Sequence, residues 1–247
     1  MITRRSITWP MPDSRSHRGA HPEDARDFAA DCWPRLRSAG EELSFLFERA
    51  YAAESALKLV GDHHQLTARQ RKAAQRAACG EPARLSRKAR RLTPPQLRGR
   101  TLCIDGFNCL ITVEAWLSGA PLFLGRDGAL RDLASVHGSY RAVQESEQAA
   151  TLLVATLLAH GVHGVRILLD RPVGNSGRTR GLFEQACQQA SLSAQVELSD
   201  RVDQELVASG LPVASSDSWI LDQALAWLDL PGLVIAGRGE PWLVDLS

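Results

Sequence analysis

The chain has 247 residues, of which 44% are hydrophobic and 23% are charged, and its formal net charge is +1, as in many soluble globular proteins. Its length allows one large domain or two small ones. Its longest apolar stretches are about ten residues, too short to span a bilayer, and its first residues lack the apolar region of a secretory signal. We therefore expect a cytoplasmic protein without membrane segments, whose five cysteines, which form no Cys-x-x-Cys pair, are reduced thiols.

The charge is divided unevenly along the chain. Residues 1–100 contain 20 lysines and arginines against 11 acids, a net charge of +9, whereas residues 101–247 contain 9 against 17, a net charge of −8. Between Arg69 and Arg100 there are 11 basic residues and a single acid, Glu81. Such asymmetry is typical of a nucleic-acid-binding part joined to an acidic part. The alternative is a solvated basic helix in an arginine-rich protein.

The first hundred residues predict a tail, a helical domain and a linker. Residues 1–20 are polar and are expected to be disordered. Residues 21–80 form a helical domain, with one helix starting near His21, a second over about 41–60, and a third that Thr67 caps. Residues 81–100 are expected to form a basic linker, because the two prolines at 94–95 cannot lie inside a helix.

Residues 101–247 alternate between strand and helix patterns, which indicates an α/β domain with a parallel sheet covered on both faces, a three-layer arrangement. The predicted strands are 101–105, 164–169, 194–198, 211–215 and 232–236, with a short apolar piece at 242–246. The predicted helices are 127–160, with a break at His137-Gly138, then 178–190, 202–208 and 217–229.

Four apolar segments of this domain lead into an aspartate. The residues are Asp105, Asp170, Asp203 (with Asp200 beside it) and Asp217. Right-handed crossovers bring the carboxyl ends of parallel strands to one edge, where ligand sites of open α/β sheets lie. A cluster of carboxylates is costly unless a cation neutralises it, and oxygen ligands favour Mg²⁺ or Mn²⁺. The turn after Asp105 would direct Asn108 to the same place, where we expect it to bind substrate.

Each acid also has a simpler interpretation. Asp217 stands where a helix should start and can serve as its N-cap. Asp203 can be an acid of the first turn of the next helix, and Asp170 can pair with Arg171.

The loop after Asp170 reads RPVGNSGRTRG. Its glycines and small polar residues precede a helix, an arrangement that binds anions through backbone N–H groups. We expect Asn175, Ser176, Arg178 and Arg180 to bind substrate phosphate. The pattern is not a P-loop, and an ordinary connector with surface arginines is the alternative.

The motif IDGFN, followed by the LLD strand, the VELSDRVD segment and a strand ending in SSD, resembles the PIN-like nuclease superfamily, closest to its NYN branch. The resemblance covers about residues 101–240. It implies that Asp105, Asp170, Asp203 and Asp217 are catalytic metal ligands and that Asn108 is the motif asparagine. The whole chain also resembles an uncharacterised prokaryotic family that joins a helical domain to a PIN-like domain.

This sequence departs from the branch pattern at two places. The third acidic segment reads VDQE where the branch often has Ala-Asp-Asp, so that Asp200 or Glu205 would supply the second acid. Residues 115–145 form an insert that a compact PIN-like domain lacks. A degenerate site that binds RNA without cutting it is therefore a second hypothesis.

The sequence thus leads to three functional hypotheses. The first is a Mg²⁺- or Mn²⁺-dependent ribonuclease with RNA as its partner. The second is an RNA- or ribosome-associated binding module without catalysis. The third is a metal-dependent phosphoesterase that acts on small substrates.

Overall fold

The computed structural model describes residues 18–134 and 143–247. Most of the predicted tail 1–20, and the predicted break at His137-Gly138 in the helix 127–160, lie outside the described residues. In these ranges the chain forms eleven α-helices and eight β-strands. The helices are α1 (Asp24–Asp27), α2 (Trp33–Glu48), α3 (Ala53–His63), α4 (Ala68–Ala77), α5 (Glu81–Arg90), α6 (Gly106–Leu117), α7 (Ser146–Ala159), α8 (Ser176–Gln189), α9 (Val202–Ala208), α10 (Ser218–Gln223) and α11 (Leu230–Ile235). The strands are β1 (Thr101–Asp105), β2 (Leu122–Leu124), β3 (Leu130–Arg131), β4 (Gly164–Asp170), β5 (Ser193–Ser199), β6 (Val213–Ala214), β7 (Trp227–Leu228) and β8 (Leu243–Asp245). No helix of the described part is long and apolar enough to cross a membrane.

The main sheet has five parallel strands in the order β5-β4-β1-β6-β7. One apolar core joins it to α6, α7, α8 and α11, and another joins its opposite face to α9 and α10. Because both faces are covered, β1 and β4 can be almost continuously apolar. The predicted α/β fold, with a parallel sheet between two helical layers, is confirmed.

A second, smaller sheet has the order β3-β2-β8 and ties the two halves of the chain together. Its residues Phe123 and Val244 belong to the same apolar core as Leu36 and Leu43 of α2. The Phe28 and Phe123 rings meet edge to face at 4.7 Å. The N-terminal region is helical as predicted, and it shares its core with strands from the other half.

The predicted linker holds α5, which packs against the acidic half. Arg87 is buried, and its guanidinium donates to Asp127 Oδ2 at 2.6 Å and Asp222 Oδ1 at 2.7 Å. Burial raises the pKa of Asp127, but Arg131 and Arg87 outweigh it and hold that pKa at about 2. Arg91 likewise lies 3.3 Å from Asp229. Part of the charge difference between the two halves therefore serves to hold them together through ion pairs.

Arg87→Lys is expected to lower the free energy of unfolding by about 2 kcal/mol. One ammonium group cannot replace a planar guanidinium group that donates hydrogen bonds to Asp127, to Asp222 and to a backbone carbonyl. Arg84→Lys on the same helix is the control: Arg84 forms an exposed i,i+3 pair with Glu81, and its loss should change stability by less than about 0.5 kcal/mol. Urea unfolding measures both. Equal effects would contradict the account of the buried ion pairs.

Two predicted elements near the C-terminus are wrong. The predicted strand 232–236 is helix α11, which Asp229 caps by accepting from the Gly232 N–H at 3.1 Å, with Pro231 in the first turn. A short apolar run can be a strand or a buried helix, and here the capping residues decide. The predicted helix 217–229 ends at Gln223, and the chain continues into β7.

Two further helix predictions differ from the structure. The predicted helix 41–60 is two helices, α2 and α3, separated by a turn in which Ala50 has φ +58°. No glycine or proline marks this turn in the sequence. The predicted helix 127–160 contains strand β3 near its start and α7 at its end.

Candidate functional site

A cleft of about 1100 Å³ lies between the carboxyl edge of the main sheet and helices α4 and α5. It brings together the four predicted acids, which line it with two further aspartates and four basic residues. The aspartates are Asp105, Asp132, Asp170, Asp203, Asp217 and Asp222, Glu48 also lines the cleft, and the bases are Lys72, Arg76, Arg87 and Arg131.

Asp105 is the last residue of β1 and the N-cap of α6. Its carboxylate accepts from the Asn108 N–H at 3.2 Å and from Ser215 Oγ at 2.9 Å. The next residue must be glycine, since a Cβ at Gly106 would lie 2.6 Å from the Leu169 side chain. This explains the Asp-Gly-x-Asn motif: the glycine lets the helix start against β4 while the aspartate caps it.

Burial raises the pKa of Asp105 to about 7, although the hydrogen bonds from Ser215 and Asn108 oppose the shift. The charges of Asp170 and Asp203 raise it further. In the described part of the chain, the two groups that donate to this carboxylate are neutral, so its charge is solvated by hydrogen bonds and is not paired with a hydrogen-bonded cation. A carboxylate in this state favours a bound proton or a bound cation.

Asp170 and Asp203 face the same cleft from β4 and α9. Burial raises the pKa of both, and the charges of Asp217 and Asp170 add to the shift of Asp203. The expected partner of Asp170, Arg171, lies instead 3.3 Å from Asp200. The four acids therefore repel one another across the cleft.

The two residues considered as substitutes for a second acid lie elsewhere. Asp200 is exposed and paired with Arg171, outside the cleft lining. Glu205 pairs with Arg166 at 3.1 Å and accepts from Ser199 Oγ at 2.6 Å. The VDQE segment thus contributes Asp203 alone to the cleft.

Asp217 has both of the roles considered for it. One carboxylate oxygen accepts from the N–H groups of Trp219 and Ile220 at 2.9 and 3.2 Å, which caps α10. The same side chain lines the cleft. A capping carboxylate is held in a fixed orientation, which suits a ligand that must not move.

Asn108 orients the loop that carries Asp217. Its Oδ1 accepts from the Ser216 N–H at 2.9 Å and from Ser216 Oγ at 3.1 Å. Ser215 Oγ accepts from the Asp217 N–H at 3.1 Å, and Arg131 Nε donates to the Ser216 carbonyl at 3.0 Å. Sequence reasoning assigned Asn108 to substrate binding and did not identify Ser215, which lies beside Asp105 only in the fold.

The loop expected to bind phosphate lies outside the cleft lining. Asn175 caps α8 with φ +62°, and Ser176 is buried, its hydroxyl donating to the Arg171 carbonyl at 3.1 Å. Arg180 lies 3.3 Å from Glu184 on the protein surface. Neither these residues nor Arg178 lines the cleft. A loop that follows a site residue in sequence need not line the same cleft as that residue.

Basic side chains reach the cleft from α4 instead. Lys72 and Arg76 are one helical turn apart and share a face. Lys72 donates to the Leu133 carbonyl at 2.8 Å, and Arg76 donates to the Ala134 carbonyl at 3.0 Å. Burial, followed by the charge of Arg76, lowers the pKa of Lys72. In the sequence, this basic face is indicated by the i,i+4 spacing of Lys72 and Arg76 within the basic stretch 69–100.

The donor set of the cleft fits a small hard cation. Its ligands are carboxylates, the type that Mg²⁺ and Mn²⁺ prefer. Among the described residues, no three of these carboxylates have oxygen atoms within 4.8 Å of one another. Mg²⁺ commonly keeps several waters and binds one or two carboxylates directly. The residues therefore suit a hydrated ion held by one or two acids, with the others interacting through water.

Comparison with known proteins places the chain in a family. Residues 94–233 match the domain of unknown function DUF5616, and residues 35–90 match the protein of unknown function DUF434. The uncharacterized protein MJ0935 of Methanocaldococcus jannaschii is 31% identical over 188 residues, which is 75% of this chain and 88% of the relative. No solved structure matches. The chain therefore belongs to the DUF5616 family and carries a DUF434 segment in front of the family domain.

Proposed function

We propose that this protein is a PIN-like, NYN-type nuclease that hydrolyses phosphodiester bonds in RNA with Mg²⁺ or Mn²⁺. The observation that carries the proposal is the meeting of Asp105, Asp170, Asp203 and Asp217 at one cleft. Four carboxylates without a bound cation would oppose one another there. The burial of Asp105 and the raised pKa values of Asp105, Asp170 and Asp203 support a role in which a cation offsets their charge.

The proposed metal would be held by Asp105 with Asp170, Asp203 and Asp217 around it. When bound, it would activate a water molecule and stabilise the charge that develops on phosphate. Asp170 and Asp203 can accept a proton from an attacking water, because a raised pKa makes a carboxylate a better base. Asn108 and Ser215 hold the loop of Asp217 against Asp105.

The opposite side of the cleft supports a polyanionic substrate. Lys72 and Arg76 of α4 add positive charge facing the acids, where they can contact a phosphate backbone. The volume of about 1100 Å³ is at the upper end of small-molecule pockets. Both features favour a segment of nucleic acid over a small phosphoester as substrate.

The test is incubation of the full chain with end-labelled single-stranded RNA in Mn²⁺, in Mg²⁺ or in EDTA. We expect cleavage in either metal and none in EDTA. Salt-sensitive RNA binding without cleavage would overturn the nuclease proposal in favour of the RNA-binding module. Hydrolysis of a small phosphodiester such as bis(p-nitrophenyl) phosphate, with RNA left intact, would point instead to the small-substrate phosphoesterase.

A further inference from the structure

A second group of metal-ligating side chains lies in the helical region, away from the cleft. Glu42 of α2 and His63 and His64 at the end of α3 place one carboxylate oxygen and two ring nitrogens within 4.8 Å of one another. Among the described residues, this is the one set of three histidine, cysteine or acidic side chains grouped so closely. None of the three lines the acidic cleft.

The packing of α2 against α3 brings these ligands together. Val60 and Ala56 of α3 share a core with Leu43 of α2. Glu42 therefore stands beside the end of α3, where His63 is the last helical residue and His64 is the C-cap. The carbonyl groups at a helix C-terminus favour a positive charge nearby.

One ring nitrogen of this group lacks a hydrogen-bond partner among the described residues. Nε2 of His64 is buried and has no hydrogen-bond partner among the described residues. It nevertheless lies 3.1 Å from Glu42 Oε2, without the alignment of a hydrogen bond. Two ligand atoms on one tetrahedral zinc ion are about 3.3 Å apart. The 3.1 Å separation between His64 Nε2 and Glu42 Oε2 is therefore close to the distance that a shared ion would require.

Neighbouring cations leave the carboxylate available. Lys58 on α3 and Arg71 on α4 both pair with Asp62. In the described part of the chain, Glu42 has ion-pair contact with His64 and with no lysine or arginine. An apolar groove of about 500 Å³, formed in part by Phe45 and Leu59, shares Glu42 and His63 with the group. An apolar surround strengthens metal–ligand interactions.

We propose that Glu42, His63 and His64 bind a transition-metal ion of the Zn²⁺ class, with a fourth position left for water or an added ligand. Two imidazoles and a carboxylate are a known ligand set for such ions, whereas Mg²⁺ and Mn²⁺ prefer oxygen. The site is distinct from the acidic cleft and does not depend on the nuclease proposal.

The test is calorimetric titration of the full chain with Zn²⁺, in millimolar Mg²⁺ so that the oxygen ligands of the cleft do not contribute. We expect one Zn²⁺ per chain, and at least a tenfold lower affinity for His63→Ala and for Glu42→Gln. Both side chains are substantially exposed, so neither change should disturb folding.

The matched controls are His163→Ala, an exposed histidine of the other half, and Glu41→Gln, the neighbour of Glu42. Both should retain the wild-type affinity. The proposal is wrong if the wild type does not bind Zn²⁺, or if His63→Ala binds it with the affinity and stoichiometry of the wild type. Equal losses in the controls would also overturn it.

Discussion

Asp105→Asn is expected to lower the rate of metal-dependent RNA cleavage on the order of 10³-fold, as removal of a central electrostatic group does in other enzymes. The substitution removes a charge and keeps the shape. The amide oxygen can still accept from the Asn108 N–H, and the amide nitrogen can donate to Ser215 Oγ, so the turn between β1 and α6 should persist. The measurement is the initial rate of cleavage in saturating Mn²⁺.

Asp200→Asn is the matched control for this experiment. It removes the same charge from an exposed side chain that pairs with Arg171 and lies outside the cleft lining. Its cleavage rate should remain within about twofold of wild type, because a surface ion pair contributes little. If Asp105→Asn retained the rate of this control, Asp105 would have no part in the chemistry.

The second expected result is that Asp105→Asn is more stable than wild type at pH 8 in EDTA, by up to about 4 kcal/mol. The folded-state pKa of Asp105, about 7, lies above its ordinary value of 3.8, because burial disfavours the charged form. The folded chain therefore binds the proton more tightly than the unfolded chain. The free energy of unfolding should fall as the pH rises from about 4 to about 7, and this loss should be absent in the variant.

Urea unfolding of both proteins between pH 4 and pH 8 measures this difference. Asp170 and Asp203 also have raised pKa values and contribute in the same direction in both proteins. The difference between the two curves therefore reports Asp105 together with its coupling to these two acids. Parallel curves, with the same stability difference at every pH, would show that folding does not raise the pKa of this carboxyl group. A site that costs stability while it serves function is a common trade-off.

The sequence predicts the position of the acids well, because their signal is local. A continuous apolar run that ends in an acid identifies β1 with Asp105 and β4 with Asp170, and parallel pairing then brings the strand ends to one edge. Thr67 as a helix cap is equally local, and the structure confirms it with a reciprocal capping box to Gln70.

The interpretation of the charge distribution was incomplete for a physical reason. A run of arginines has the same appearance whether it contacts RNA, solvent or another part of the same chain. Arg87 contacts Asp127 and Asp222, which are 40 and 135 residues away in sequence. Such partners are defined only by the fold, as is the contact of Arg131 with the Ser216 carbonyl. Ser215, which donates to Asp105 and accepts from the Asp217 N–H, was therefore not identified from the sequence pattern.

The most direct test of the metal centre is calorimetric titration with Mn²⁺ at pH 7.5, comparing the wild-type cleft with Asp105→Asn. Both proteins should carry His63→Ala, so that the histidine site of the helical region does not contribute. The account predicts one Mn²⁺ per chain for the intact cleft and an affinity at least tenfold lower, or no binding, once Asp105 is an amide. Equal Mn²⁺ affinity in the two proteins, or no binding to the intact cleft, would contradict it.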